Sequence, residues 1–91
     1  MIVLTIETFD ELVTHRKADE VWLVDFFAPW CGPCNQLAPH WRRLARSLIT
    51  LTNIYVASVD CVAQQLLCSR QSVNAYPTIR FYGAGSASKY M

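Results

Sequence analysis

At the centre of this sequence stands the stretch Val24-Asp25-Phe26-Phe27-Ala28-Pro29-Trp30-Cys31-Gly32-Pro33-Cys34. Its first half belongs to a run, residues 21–28, that is apolar except for Asp25. A short apolar run without alternation is typical of a strand covered on both faces in an α/β sheet. Its second half begins a helical pattern that continues to about Leu48, with apolar residues three and four positions apart. The stretch therefore predicts a buried strand that leads into a helix, with two cysteines where the helix begins.

Strands and helices alternate on both sides of this unit, which indicates the α/β class. Pro39 lies inside the central helix, where it removes a backbone hydrogen bond, and we expect a kink there. A first short helix, capped by Thr8 or Asp10, should end near residue 13, and a third should turn Leu66 and Leu67 inward. No repeat or linker interrupts the order, so we expect residues 1–91 to form a single domain. The predicted strands are 2–4, 21–28, 54–59, 78–82 and one edge strand within 86–91, and the two longer helices are 31–48 and 63–72.

Composition and charge exclude several classes of protein. Apolar residues make up 53% of the chain and charged residues 16%, which is typical of a globular domain. The formal net charge is +1, and Arg42, Arg43 and Arg46 fit the solvent side of an amphipathic helix, so we expect no nucleic acid partner. No apolar run reaches the ~20 residues of a membrane span, and neither end carries a signal peptide or a retention tetrapeptide. We expect no membrane partner, and we expect any targeting signal to lie outside this chain.

The spacing of Cys31 and Cys34 suits thiol–disulfide exchange. Backbone N–H groups and the dipole at a helix N-terminus stabilise a thiolate, so the pKa of an exposed Cys31 should fall below the usual ~8.5. Cys34, one turn further and more buried, is then placed to resolve a mixed disulfide on Cys31. Pro33 fits the first turn, where its missing N–H has no helix partner, and Gly32 leaves the approach to the sulfur open. Trp30 either forms an aromatic rim beside the cysteines or packs in the core.

The second pair, Cys61 and Cys68, needs its own explanation. Its spacing is too wide to complete the usual zinc ribbon with the first pair, so we expect no metal site. In a regular helix the two residues would lie ~10.5 Å apart, beyond the ~7 Å limit for a disulfide. A turn after the preceding strand could bring Cys61 back within reach. On the residues alone, two buried thiols of a reducing compartment and a disulfide both stay open.

Several motifs resemble the thioredoxin superfamily. The opening stretch resembles the family's active-site strand and turn, Tyr76-Pro77-Thr78 its cis-proline segment, and Pro39 the proline of its active-site helix. Ala28-Pro29-Trp30-Cys31 and Val59-Asp60-Cys61 are more similar to protein disulfide isomerases, especially to endoplasmic-reticulum disulfide reductases that also carry a DnaJ domain. The resemblance covers nearly the whole chain and implies a thioredoxin fold, a central mixed sheet of four to five strands flanked by helices. It also implies a closing C-terminal helix, for which too few residues remain, so we expect a C-terminally truncated domain.

Asp25 is the one charged residue in the buried strand, and burial should raise its pKa. The resemblance implies that this carboxyl group transfers a proton to and from the buried cysteine. The family typically has a lysine nearby on the next strand, whereas residues 54–59 contain none. A structural carboxylate satisfied by water is the alternative.

The resemblance also implies a substrate-binding segment and a second disulfide. Pro77 should form a cis peptide bond facing Cys31, and the Tyr76 backbone should pair with an extended substrate. Some domains of the disulfide isomerase family carry a structural disulfide with the spacing of Cys61 and Cys68, and we expect one here.

The expected function is disulfide reduction in misfolded secretory-pathway proteins, in the lumen of the endoplasmic reticulum, through a mixed disulfide. Pro33 stands where many isomerases have histidine and resembles thioredoxin, whose potential of about −270 mV is more reducing than the ~−180 mV of protein disulfide isomerase. Three alternatives stay open: an oxidase or isomerase module, a chaperone-like module that binds clients around Trp30 and Tyr76, and a cytosolic electron carrier. We expect no cofactor and a monomer that meets disulfide-bonded proteins, with chaperones bound through other domains of a parent protein.

Overall fold

A five-stranded mixed sheet organises the structure, a computed structural model that describes residues 1–83 and 88–90. The strands are β1 (Ile2–Val3), β2 (Val21–Phe27), β3 (Ile54–Asp60), β4 (Thr78–Tyr82) and β5 (Ser88–Tyr90), and the helices are α1 (Gly32–Ser47) and α2 (Gln65–Arg70). The spatial order is β1-β3-β2-β4-β5, with β1, β3 and β2 parallel and β4 and β5 antiparallel to their neighbours. This arrangement confirms the predicted mixed sheet of four to five strands flanked by helices.

The central strand β2 has two different faces. Trp22, Val24 and Phe26 are almost completely buried in the main hydrophobic core. Asp25 lies between two of these residues in the sequence, so its side chain lies on the opposite face, where α1 covers the sheet. The other large side chains of the main core come from the N-terminal segment, β3, α2 and β4, and include Leu4, Phe9, Val13, Val59, Leu67 and Tyr82.

The first predicted helix is replaced by a single π-helical turn, Asp10–Thr14, closed by a 2.9 Å hydrogen bond from the His15 N–H to the Asp10 carbonyl. The prediction that Thr8 or Asp10 caps a helix is wrong. The Thr8 hydroxyl instead accepts a hydrogen bond from the Thr5 N–H at 3.0 Å, because the chain makes a separate turn before the helical residues. The Asp10 carboxylate accepts from the Thr14 hydroxyl at 2.8 Å.

Helix α2 is shorter than the predicted 63–72. The Asp60 carboxylate accepts a hydrogen bond from the Val62 N–H at 2.9 Å, so the chain first makes a turn and the helix begins late. Leu67 is buried, but Leu66 is 56% exposed, so the prediction that Leu66 points inward is wrong. At the other end of the chain, β5 lies within the predicted edge strand, of which residues 86, 87 and 91 are outside the described residues. In the described ranges, no helix is long and apolar enough to cross a membrane.

Candidate active site

The two cysteines of the opening stretch lie where the carboxyl end of β2 leads into α1. Cys31 is the N-cap residue of α1, and Cys34 lies in its first turn. The two form a disulfide with a Cα–Cα separation of 5.2 Å. The Cys34 N–H donates a 3.2 Å hydrogen bond to the Cys31 sulfur. Pro33 occupies the first turn without leaving a helix hydrogen bond unmade, as expected.

The burial of the two cysteines differs less than expected. Cys31 is 6% exposed and Cys34 is 3% exposed, so the prediction of an exposed Cys31 is wrong for this disulfide-bonded form. Ala28 and the two cysteines form a small buried cluster, against which Phe27 and Tyr76 pack, and Tyr76 also packs against the main core. These neighbours cover the disulfide, because Tyr76 comes from the loop before β4 and reaches across to the start of α1.

Trp30 lies on the surface beside this cluster. Its side chain is 72% exposed and meets the Tyr76 ring edge-on, with the ring centroids 5.9 Å apart, so the core-packing alternative is wrong. The peptide bond between Tyr76 and Pro77 is cis. A Cβ atom added to Gly32 would meet no atom within 4 Å, so space is open above the start of α1. An exposed tryptophan in contact with a half-buried tyrosine therefore lies beside the cysteine cluster, and the space above Gly32 is open.

Asp25 lies beneath the disulfide, on the α1 side of β2. It is 4% exposed, and one carboxyl oxygen, Oδ1, makes no hydrogen bond. Its register partners are Ser58 on β3 and Ile79 on β4, and neither carries a charge. Desolvation by burial raises the pKa of Asp25 from 3.8 to about 6. The carboxyl group can therefore change its protonation state near neutral pH.

A cavity of about 300 Å³ connects this carboxyl group with the second cysteine. Asp25 and Ser58 line it from the sheet, and Cys34 lines it from α1. Arg42 also lines the cavity, although the helical pattern predicts for it only a place on the solvent side of the helix. The missed signal is spacing, because Cys34, Ala38 and Arg42 follow one another at steps of four and therefore share one helix face.

Cys61 and Cys68 form a second disulfide, with a Cα–Cα separation of 5.6 Å. Cys61 lies immediately after β3, in the turn before α2, so the two residues do not share a regular helix. Both are buried in the main core, and the Cys61 N–H donates a 2.8 Å hydrogen bond to the Phe27 carbonyl of β2. Within residues 1–83 and 88–90, no three histidine, cysteine or acidic side chains form a cluster that could hold a metal ion.

Comparison with known proteins agrees with this geometry. The family model described as Thioredoxin matches residues 1–91. The chain is 50% identical over 90 residues to DnaJ homolog subfamily C member 10 of Mus musculus, covering 99% of this chain and 11% of that protein. It is 43% identical over 86 residues to the protein disulfide-isomerase A6 homolog of Drosophila melanogaster, covering 94% of this chain and 19% of that protein. The chain thus spans about a tenth to a fifth of the length of these relatives.

Solved structures give the same assignment. The crystal structure of full-length ERdj5 superimposes with a TM-score of 0.91 at 44% identity, covering 100% of this chain and 14% of that one. The crystal structure of the Trx4 domain of ERdj5 gives a TM-score of 0.85 at 34% identity, covering 99% of this chain and 80% of that one. These matches confirm the thioredoxin fold and the resemblance to disulfide isomerases and their DnaJ-containing relatives. With its Cys31–Cys34 redox pair, the chain belongs to the thioredoxin family of thiol–disulfide oxidoreductases.

Proposed function

We propose that this domain reduces disulfides in misfolded secretory-pathway proteins through a mixed disulfide on Cys31. The observation that carries the proposal is the 3.2 Å hydrogen bond from the Cys34 N–H to the Cys31 sulfur at the N-cap of α1. In the reduced domain, the same N–H and the helix dipole would stabilise a Cys31 thiolate. A thiolate is the form of cysteine that attacks a disulfide.

In the first step, the Cys31 thiolate forms a bond to one sulfur of the substrate disulfide. The substrate S–S bond breaks, and its other sulfur leaves as a thiolate that takes a proton from water. Cys31 is the attacking sulfur in this step and the sulfur that Cys34 attacks in the next, and its low pKa keeps it in the attacking thiolate form at neutral pH.

In the second step, Cys34 loses its proton to Asp25 and its thiolate attacks the Cys31 sulfur. The mixed disulfide breaks, the second substrate sulfur leaves as a thiolate that takes up a proton from water, Asp25 returns its proton to water, and the domain ends in the Cys31–Cys34 disulfide. Two electrons pass from the domain to the substrate. The cavity shared by Asp25 and Cys34 supports this role, because water in it could carry the proton between them. A general base with a pKa of about 6 is well suited to neutral pH.

Substrate binding is assigned to the surface around the disulfide. The exposed Trp30 ring and the partly exposed Tyr76 ring offer apolar contact area, and the Tyr76-Pro77 segment lies immediately before β4. An extended substrate segment could pair with the Tyr76 backbone while its sulfur approaches Cys31 over the open space above Gly32. The proposed partners are therefore disulfide-bonded proteins, bound by a monomeric domain.

The proposed location is the lumen of the endoplasmic reticulum. The names of the DnaJ homolog and protein disulfide-isomerase relatives support it, and so does a second disulfide, since such bonds persist in oxidising compartments. In a longer protein with a DnaJ domain, chaperones would bind through that other domain. The reductive direction rests on Pro33, the residue shared with thioredoxin between the cysteines.

The redox potential of the Cys31–Cys34 pair tests the direction. Equilibration with graded ratios of reduced to oxidised glutathione, followed by alkylation and mass spectrometry, should give a value close to about −270 mV. A value close to about −180 mV would overturn the reductase proposal in favour of an oxidase or isomerase. The mechanism further requires that Cys31→Ser abolishes turnover and that Cys34→Ser accumulates a mixed disulfide with substrate.

A client-binding module is the second candidate, because Trp30 is 72% exposed. Its test uses the Cys31→Ser/Cys34→Ser double variant with an unfolded, disulfide-free client protein. Full binding by this variant, lost on Trp30→Ala, would support the second candidate. No binding by this double variant, with capture of a disulfide-containing client on Cys31 of Cys34→Ser, supports the oxidoreductase.

A further inference from the structure

We propose that Arg42 is a positioning residue that supplies positive charge to the cavity shared by Asp25 and Cys34. The proposal deepens the proposed function and rests on its second step, in which Cys34 passes a proton to Asp25. Arg42 touches no substrate in this scheme. It acts through the electric field at the two groups that exchange the proton.

Helix geometry selects Arg42 from among its neighbours. Cys34, Ala38 and Arg42 lie at steps of four along α1, and all three line the same cavity of about 300 Å³. Arg43 and Arg46 are also exposed on this helix, but neither lines the cavity. The same helix face thus carries the resolving cysteine at one end and a guanidinium group two turns further on.

The other groups around the carboxyl group supply no positive side chain. From β3, the register partner of Asp25 is Ser58, which lines the cavity with a hydroxyl group, and from β4 it is the apolar Ile79. From α1, Asn35 and Ala38 are neutral. Arg42 is therefore the one cationic side chain among the described residues that line the cavity. Met1 also lines the cavity, so its α-amino group is the other group that could be positive there.

The charge of the reacting pair explains why a cation matters. Before the transfer, Asp25 is ionised and Cys34 holds the proton. After it, Asp25 holds the proton and Cys34 is a thiolate, so the pair carries one negative charge in both states. A buried site with one carboxyl oxygen that makes no hydrogen bond disfavours that charge. A guanidinium group at the same cavity lowers the free energy of the charged pair, so the proton acceptor stays available at lower pH. The long side chain can keep contact with water while it does so.

The test measures the resolution step directly in the full chain. The reduced protein is mixed with oxidised glutathione, quenched with acid at intervals, and analysed by mass spectrometry, which separates the glutathione-bound form from the Cys31–Cys34 disulfide. The rate of the second step is recorded from pH 5 to pH 9. Arg42→Ala should move the midpoint of this profile upward by about half a pKa unit, which is about a threefold slower resolution below the midpoint.

Two variants control the interpretation. Arg42→Lys keeps the charge and should restore the wild-type profile, whereas Arg43→Ala removes an arginine outside the cavity and should change nothing. Alanine is compatible with an exposed helix position, and an unchanged far-ultraviolet circular dichroism spectrum verifies the fold. Repeating the series with neutral residues added before Met1 separates the effect of Arg42 from that of the terminal amine.

A second readout follows Asp25 itself. Carboxyl carbon NMR of the oxidised protein should give a higher Asp25 pKa in Arg42→Ala than in the wild type or in Arg43→Ala. Superimposable profiles and equal Asp25 pKa values in Arg42→Ala and wild type would overturn the inference, and so would an equal shift in Arg42→Lys. Failure of the wild-type protein to reduce oxidised glutathione, together with no glutathione adduct on Cys31 in Cys34→Ser, would instead overturn the proposed function.

Discussion

The two disulfides join their cysteines at similar Cα separations, 5.2 Å for Cys31–Cys34 and 5.6 Å for Cys61–Cys68, but in different surroundings. The first lies at the N-cap of a helix, in a small cluster bounded by an exposed tryptophan and a cavity. The second lies in the main core and links the end of β3 to α2. All four cysteines are buried, so the two bonds differ in their neighbours: a small cluster at a helix end surrounds the first, and the main core surrounds the second.

The neighbours of each pair explain this division. A sulfur at a helix N-terminus is stabilised as a thiolate and is a good leaving group, whereas a sulfur among apolar side chains is not. Cys34 also shares the cavity with Asp25, the proton acceptor that we propose for it. Neither Cys61 nor Cys68 lines that cavity. The comparison predicts that the two pairs differ in reactivity, in contribution to stability and in response to pH.

The largest expected effect is a difference in the rate of reduction. Under native conditions, dithiothreitol should open Cys31–Cys34 at least about a hundredfold faster than Cys61–Cys68, because attack on the second bond first requires the core to open. Timed alkylation with mass spectrometric mapping identifies which thiols appear first. Addition of urea is the control, since unfolding should bring the two rates together. Simultaneous appearance of all four thiols without urea would contradict the comparison.

The sequence predicts the first pair better than the second. The apolar run around Asp25 and the helical pattern after Cys31 are local signals, and they are enough to locate the cysteines at a strand-to-helix junction. The link between Cys61 and Cys68 depends on where α2 begins, and that boundary depends on the turn made by the Asp60 carboxylate. A short helix with a polar turn before it leaves a weaker pattern, which is also why the prediction for Leu66 is wrong.

The cavity is the part of the site that the pattern does not reveal. Arg42 is an exposed residue of α1, but it lies eight positions after Cys34, on the same helix face, and lines the same cavity. A helix pattern separates apolar from polar positions, but it does not show that a cavity beneath the helix brings a sheet residue such as Asp25 to the same space as Arg42. Similarly, the small cluster that contains Cys31 is completed by Tyr76, which lies 45 positions later in the sequence and packs against the cluster only in the folded chain.

A smaller effect is expected when the second disulfide is removed. The double variant Cys61→Ala/Cys68→Ala should unfold with a free energy lower by about 2–3 kcal/mol, because the unfolded chain regains the entropy that a closed loop of this size removes. Urea unfolding monitored by tryptophan fluorescence measures the change. Turnover with oxidised glutathione should persist at low urea, because neither residue touches the Cys31–Cys34 cluster. Loss of turnover in a fully folded variant would contradict the division between a redox pair and a structural pair.

The smallest expected effect concerns the buried acid that accompanies only the first pair. Burial raises the pKa of Asp25 to about 6, so the native state binds this proton more tightly than the unfolded chain does. The resulting stabilisation is complete below the unfolded value of 3.8 and is lost as the pH rises through about 6. Asp25→Asn should therefore leave stability nearly unchanged at pH 3.5 and raise it by about 1–2 kcal/mol at pH 8.

Urea unfolding of the oxidised protein at several pH values measures this difference, and the same variant should slow resolution of the glutathione adduct on Cys31. The two readouts together separate the roles considered for Asp25. A purely structural carboxylate predicts a change in stability alone, whereas a proton acceptor for Cys34 also predicts a slower second step that loses its pH dependence near 6. Equal stability differences at pH 3.5 and pH 8 would contradict the raised pKa. In that case the first disulfide would not differ from the second by having a buried acid with a raised pKa beside it.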